Sequence, residues 1–378
     1  MTTSHIHLVQ NQASVAESIP TVIIGGGQAG LAMGYHLQRQ GEQFVILDAQ
    51  PRIGDTWRHR WDSLRLFSTP EYSSLPGWPM PLSTFPTHTE MGDYLEGYAL
   101  HFELPVQSGV RVTRLSRTES GFLMETSDGA LQADRVVIAT GGYQIPVVPD
   151  FAVELAPSIR QLHSDAYRNP DQLEGAVLLV GGGNSGAEIA LEAVRSGQKT
   201  WLSGRHPGEV PFRIESRRAR FLTPIVMFVF RHILTINTPM GRKARLASTH
   251  HGKPLVRTKA RDLEAAGVQR VGRIAGISDG LPVTVDGDVL DPQTVVWCTG
   301  YRPDYSWIDL PVTDDHGQLI TERGVSPAAG LYFIGTEFQY ALASATIQGL
   351  DQDARYLVRA MAKRPKTVVV GTPQRAAA

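Results

Sequence analysis

The sequence has a single cysteine, Cys298, in 378 residues. A lone thiol excludes an internal disulfide framework and an intramolecular redox-active cysteine pair. Excess charge is lacking as well: 36 Lys and Arg stand against 37 Asp and Glu, so the whole chain carries no electrostatic footprint for nucleic acid. Long apolar runs are missing; the longest, residues 221–230, falls short of the ~20 residues a membrane-spanning helix needs. The first twenty residues show neither a basic start nor an apolar stretch, so no signal peptide is expected and a cytoplasmic location is. No Ser/His/Asp arrangement and no metal-ligand constellation stands out, and His250-His251 reads as a solvated pair. With 42% hydrophobic and 19% charged residues, the composition fits a packed globular protein of about two domains.

Residues 21–37, TVIIGGGQAGLAMGYHL, organise the chain. The apolar run Val22-Ile23-Ile24 reads as a buried parallel strand. Next comes Gly25-Gly26-Gly27-Gln28-Ala29-Gly30, a G-x-G-x-x-G that opens a helix. Gly25 permits a tight turn, Gly27 admits a pyrophosphate to the backbone, and Gly30 lets helix pack on strand. The first N–H groups of such a helix lack internal partners and point at the anion. The following strand, residues 44–47, ends in Asp48, 18 residues past the last glycine. An acid there suits an adenosine ribose 2′-OH.

The pattern returns 156 residues later. An apolar strand at 176–180 precedes Gly181-Gly182-Gly183-Asn184-Ser185-Gly186, and helix 187–196 leads to strand 199–203. No acid closes this second strand; Arg205 and His206 stand there instead. A guanidinium binds a 2′-phosphate, which a carboxylate would repel. The first site is therefore expected to hold FAD and the second NADPH, with NADH the weaker coenzyme.

Between the repeats, 51–86 reads as loops with short helices and 88–101 as a helix. A meander is expected at 110–115, 122–126 and 130–132, then a buried strand at 135–139 stopping at Thr140-Gly141. Further on, a hairpin is expected around Asp286-Gly287, strands at 294–298 and 330–335, and a helix over 343–361. Residues 205–261 are basic, with 13 Lys and Arg against Glu209 and Glu215. Their apolar centre, 221–230, reads as a core or lid helix, with an anionic-ligand funnel and a weak membrane-surface contact as alternatives. Pro224 interrupts any single long amphipathic helix.

Several stretches together resemble the single-component, two-nucleotide flavoprotein monooxygenases, the group of flavin-containing monooxygenases and plant indole-pyruvate monooxygenases. They are GGGQAG at 25–30, GDTWRHRWDSLRLF at 54–67, ATGGY at 139–143 and HSDAYRNP at 163–170. GGGNSGAE at 181–188, CTGY at 298–301 and GLYFIGTEF at 330–338 complete the set. Two departures stand beside the match. His163 and Tyr167 of the family's F-x-G-x-x-x-H-x-x-x-Y motif are present, but Pro157 and Ile159 replace its Phe and Gly. Where the flavin-containing branch has an Asn after the Trp-bearing loop, the best match here is Thr69.

The resemblance implies an α/β fold of two Rossmann-like domains, the NADPH domain inserted into the FAD domain. The expected boundaries are 1–150 and 291–378 for FAD and 151–290 for NADPH. Gly25, Gly27, Gln28, Ala29, Gly30, Asp48, Gly54, Thr56, Trp57, Thr140, Gly141 and Gly335 are the candidate FAD contacts. Gly181, Gly183, Asn184, Ser185, Gly186, Arg205, His206, Thr299 and Gly300 complete the cofactor set. Trp57, Trp61 and Thr69 are the candidate active-site lining. The implied reaction uses NADPH and O2 to place one oxygen atom on a small organic substrate, at sulfur, nitrogen or a carbonyl, through a flavin C4a-peroxide. The alternative is a flavin oxidoreductase or oxidase that passes electrons to an external acceptor or to O2. A monomer or homodimer is expected.

Overall fold

The computed structural model describes residues 18–248 and 253–363. Strand β1 (Ile19–Ile24) buries its last four residues, and helix α1 (Gln28–Arg39) returns across it, burying Leu31, Ala32, Met33 and Leu37. Strand β2 (Val45–Asp48) pairs with β1 in parallel. Short helices α2 (Asp55–Arg58) and α3 (Pro70–Ser73) break the loop that follows. Helix α4 (His88–His101) begins at a reciprocal cap: the Thr87 hydroxyl accepts the Glu90 N–H at 3.1 Å, and the Glu90 carboxylate accepts the Thr87 N–H at 2.8 Å. Strands β3 (Val106–Ser108), β4 (Val112–Arg117), β5 (Phe122–Thr126) and β6 (Gly129–Ile138) complete this part. The order is β3-β2-β1-β6-β5-β4.

The expected strands at 130–132 and 135–139 are one ten-residue strand, β6. No glycine or proline stands between them to interrupt an extended backbone. Ala133 is the pivot, opposite Phe122 of antiparallel β5 and Ile19 of parallel β1.

The chain then leaves through β7 (Ile145–Pro146) and builds a second sheet from β8 (Arg160–His163), β9 (Val177–Val180), β10 (Thr200–Ser203), β11 (Gln269–Val271) and β14 (Thr294–Trp297). Its order is β11-β10-β9-β14-β8, and every pairing is parallel. Helix α5 (Asn184–Arg195) links β9 to β10. Helices α6 (Ala219–Phe228), α7 (Pro239–Ser248) and α8 (Ala260–Ala266) lie between β10 and β11. An antiparallel pair, β12 (Ile274–Ser278) and β13 (Leu281–Thr284), precedes β14, and Val283 bridges Val289 across Asp286-Gly287. The chain returns through β15 (Tyr301–Arg302), antiparallel to β7, then adds β16 (Leu331–Phe333) to β6 and ends its described part in α9 (Ile347–Lys363) on α1.

Three expectations need correction. Residues 291–298 do not belong with the first sheet: β14 lies inside the second, Thr294 facing both Val177 and Arg160. Strands 135–139 and 294–298 look alike because each closes a nucleotide unit, one per sheet, so the chain returns to the first sheet only after residue 298. The final helix starts at Ile347, preceded by a separate 3₁₀ turn, Leu342–Ala345. Nor is 221–230 a core helix: Ala219 is the buried residue of α6, whereas Phe221, Ile225 and Phe228 are exposed. Residues 250 and 251 lie outside the described part.

Each sheet is covered on both faces. One apolar cluster joins Ile23, Leu31, Met33, Tyr98, Leu350 and Leu357 beneath α1, α4 and α9. Another fills the opposite face with Val22, Leu115, Phe122 and Phe333. Two more clusters flank the second sheet, around Leu179 and Ile189 and around Leu178 and Trp297.

Candidate functional site

The two glycine loops are built by the same contacts. The Gly25 N–H donates to Leu47 O at 2.8 Å, and the Gly181 N–H donates to Ser203 O at 2.8 Å. Leu31 N–H donates to Gly27 O and Ala187 N–H to Gly183 O, at 3.0 and 2.9 Å. Gly25 (φ +109°) lies against Ala139 O, and Gly181 (φ +123°) against Cys298 O; an added Cβ would meet these carbonyl oxygens at 2.6 and 2.2 Å. A Cβ on Gly30 or Gly186 would come within 1.9 Å of the carbonyl oxygen of the first glycine in its loop. The packing of the chain demands all four of these glycines.

Gly27 and Gly183 are different. Their φ values, −72° and −78°, suit any residue, and a Cβ on either would meet no protein atom within 4 Å. Nothing in the folded chain requires glycine there. Both open positions precede the first turn of a helix whose N–H groups lack internal acceptors. A backbone left bare at that point matches an anion seated against it, as a dinucleotide pyrophosphate requires.

Around the first loop, Asp48 accepts the Gly26 N–H on Oδ2 at 2.5 Å and the Gln50 N–H on Oδ1 at 2.7 Å. Burial raises its pKa, against the pull of these two bonds. Each carboxylate oxygen keeps lone-pair capacity for a hydroxyl. Trp57 Nε1 donates to Gln28 Oε1 at 3.1 Å, fastening the 54–67 loop to the start of α1. Gly54 (φ +90°) packs so closely on Gly92 that a Cβ would meet Gly92 O at 2.2 Å, while Thr56 is exposed. Gln144 Nε2 donates to Thr140 Oγ1 and Gly141 O, at 2.8 and 2.7 Å. Gly335 (φ +80°) faces Ala29 of the loop.

The three expected lining residues separate. Trp57 is half-buried beside the first loop. Trp61 is buried in the apolar cluster of the second unit with Tyr167, Leu255 and Val296, so its ring is a core anchor between the units. Thr69 occupies the N-cap of α3, yet its buried hydroxyl caps nothing and has no partner. Trp61 Nε1 is likewise unpaired.

At the second loop, the Asn184 side chain is already occupied: Nδ2 donates to Pro254 O and Oδ1 accepts the Val256 N–H, each at 2.9 Å. Its backbone N–H is what it can offer an anion. Ser185 is half-buried in the first turn of α5. Arg205 is exposed, and its guanidinium makes no hydrogen bond or ion pair among the described residues. His206 is not free of acids, as the sequence alone suggested: its Nε2 lies 3.3 Å from Glu209 Oε1. That carboxylate, held below its usual range first by the Ala260 N–H and also by His206, opposes an incoming phosphate. A cation missed in the sequence is Arg270 on β11; it donates to Gly204 O at 2.9 Å and reaches over Gly182. Only the parallel pairing of β11 with β10 brings it there.

Thr299 Oγ1 donates to Val147 O, and Gly300 O is 3.1 Å from His163 Nε2. Tyr167 donates to Glu192 Oε2 at 2.8 Å. Burial pushes the Cys298 thiol up to about 12, so it has no thiolate character near neutral pH. No group of three potential metal ligands occurs among the described residues.

Arg257 joins the units. It donates to Arg65 O and Leu66 O at 3.0 and 2.8 Å, pairs with Glu215 at 2.9 Å, and lies over the rings of Phe67 and Phe85. Its guanidinium also comes within 3.7 Å of Glu188 Oε1, one turn into α5, which has no hydrogen-bond partner.

A profile of the pyridine nucleotide-disulphide oxidoreductase family matches residues 22–234. An uncharacterized oxidoreductase, CzcO-like, of Geobacillus kaustophilus is 37% identical over 346 residues, covering 90% of this chain and 97% of that one. Indole-3-pyruvate monooxygenase YUCCA1 of Oryza sativa subsp. japonica is 28% identical, covering 83% and 86%. Among solved structures, a flavin-containing monooxygenase from Stenotrophomonas maltophilia aligns with a TM-score of 0.75 at 30% identity, covering 92% of this chain and 99% of its own.

Glu188 makes the site's stability depend on pH. Burial, with Glu192 and Glu215 near, pushes its carboxyl up to about 7, and Arg257 pulls only partly against this. The folded state therefore holds a proton that the unfolded chain has lost, and stability falls as pH rises from about 4.5 to about 7. Glu188→Gln removes that loss. Relative to wild type, the variant should gain up to roughly 3 kcal/mol across this window and no more above it. Urea midpoints at about pH 5 and about pH 8 check this; a difference that does not change with pH would contradict it.

Proposed function

The chain belongs to the pyridine nucleotide-disulphide oxidoreductase family and to the flavin monooxygenase superfamily, and from that premise we propose that it binds FAD at Gly25–Gly30 and NADPH at Gly181–Gly186. With these it inserts one atom of O2 into a small organic substrate, at sulfur, nitrogen or a carbonyl. The observation that carries the reading is the pair of bare glycines, Gly27 and Gly183, each at the start of a helix, which the packing of the chain does not require and a seated pyrophosphate would. The single cysteine supports oxygen transfer over disulfide exchange, which needs two reactive thiols.

A flavin bound here would supply the redox chemistry between the nicotinamide and oxygen. The protein holds, orients and shields. Asp48 would take the adenosine ribose hydroxyl, and Gly27 with the first N–H groups of α1 would take the pyrophosphate. Trp57, braced by Gln28, with Gly54, Thr140, Gly141 and Gly335, would wall the flavin end and keep water out. The unpaired Thr69 hydroxyl would supply the hydrogen bond for which the flavin-containing branch uses Asn. Arg205, just past β10, and Arg270 on β11 would grip the 2′-phosphate together.

Three expectations test this. Gly27→Val should fold as the flavin-stripped wild type does, yet copurify with little flavin. Gly30→Ala should instead lose about 3 kcal/mol or more of stability through its collision with Gly25. Thermal midpoints and bound-flavin absorbance separate the two, and full flavin retention in Gly27→Val would refute the first site. With ¹⁸O2 and a panel of sulfides, amines and ketones, one labelled atom should enter product. Peroxide alone, whatever the acceptor, would make the enzyme an oxidase. Arg205→Ala and Arg270→Ala should each lower kcat/KM for NADPH about 10- to 150-fold, a loss of roughly 1.5–3 kcal/mol, and leave NADH nearly unchanged. An unaltered coenzyme ratio in both variants would mean that the phosphate is read elsewhere.

A further inference from the structure

Helix α6 turns its apolar face to water. Phe221, Ile225 and Phe228, 77, 61 and 57% exposed, recur at helical spacing on one side with Leu222 beside them, and Met240 at the start of α7 is exposed as well. A contiguous patch of large side chains left in solvent on a rigid element marks a surface made to be covered. The element is well mounted. Beyond a π-helical turn, Val229–Ile233, the Ile236 N–H donates to Tyr340 O at 2.8 Å, and the Leu342 N–H donates to Leu234 O at 2.9 Å. Thr235 between them is 2% exposed.

Charge identifies what covers the face. Residues 216–248 carry seven Lys and Arg and no Asp or Glu. Arg231 turns inward to Asp351, but Arg217, Arg218 and Arg220 lie exposed at the start of α6, and Arg242 and Lys243 on α7. A second copy packed about a two-fold axis would bring the same cations face to face. An apolar stripe on a segment whose only charged residues are cations instead matches a bilayer whose headgroups are anionic.

We propose that α6 and the start of α7 dock this protein onto anionic membrane surfaces, with Phe221, Ile225 and Phe228 entering the headgroup boundary. No helix among the described residues is long and apolar enough to span a membrane, so the contact is peripheral. Two forces share it: apolar burial, and attraction of the Arg residues to the lipid charge, which salt weakens.

The test is flotation of the full-length holoprotein with liposomes of phosphatidylcholine alone and of phosphatidylcholine with phosphatidylglycerol in equal parts. Wild type should float with the anionic liposomes, at least about tenfold better than with the neutral ones, and added salt should reduce binding. Ile225→Glu/Phe228→Glu should lower binding to anionic liposomes at least about tenfold. Arg217→Glu/Arg218→Glu should abolish the preference for them. All variants should keep the thermal midpoint and flavin content of wild type, since the altered side chains are exposed. Failure of wild type to float, equal flotation with both lipids, or equal binding by the variants would overturn the proposal. So would sedimentation velocity showing a lipid-indifferent dimer that Ile225→Glu/Phe228→Glu splits, because the face would then be covered by a second copy.

Discussion

Everything at the glycine-loop end of each sheet depends on one backbone contact, the last glycine of the loop lying on the carbonyl of the first. Gly30 and Gly186 approach so closely that a methyl group would stand 1.9 Å from an oxygen. This contact lets the helix begin directly over the end of its strand. It therefore aims the free N–H groups at the strand's carboxyl edge and not along its face. Pairing with the neighbouring strand then adds the side chain that distinguishes the two loops, Asp48 at one and Arg205 at the other.

Local chemistry was legible in the sequence where it is carried by neighbours in the chain. Both glycine loops, the strand before each, and the helix after each follow from short patterns whose physical reason is contained in six residues. What needed the structure is non-local. Arg270 reaches the second loop only through a strand pairing between segments some seventy residues apart. Trp61 shares a motif with Trp57, yet the two rings serve different ends, because the loop crosses from one unit to the other between them. Strand β14 is as apolar as the end of β6, and an apolar run alone says nothing about which sheet buries it. The exposed face of α6 ran against the ordinary expectation that apolar residues fold inward.

The two units are tied at several independent points. The connecting segments pair as β7 and β15, with Arg60 bonded to Tyr301 at 2.9 Å and lying over the Tyr143 ring. Ser63 donates to Glu192, and Asn169 Nδ2 donates to Asp62 at 2.8 Å. Arg257 adds backbone contacts at Arg65 and Leu66. Apart from the β7–β15 pairing itself, the 54–67 loop is the common partner in these contacts. It borders the first glycine loop at one end and carries the second unit's core anchor, Trp61, in its middle. The same loop is thereby held from both units at once.

Cys298 has a different consequence. Its thiol is packed under the second glycine loop, against Gly181 and Gly186, and burial keeps it protonated. Alkylating reagents attack thiolates, so a thiol held protonated reacts slowly with maleimides compared with a cysteine introduced at the surface. A pair of surface cysteines, one introduced on each sheet's outer helices, would give a clean distance probe by energy transfer or electron spin resonance. Such a probe would report whether the distance between the two sheets stays fixed when nucleotides bind.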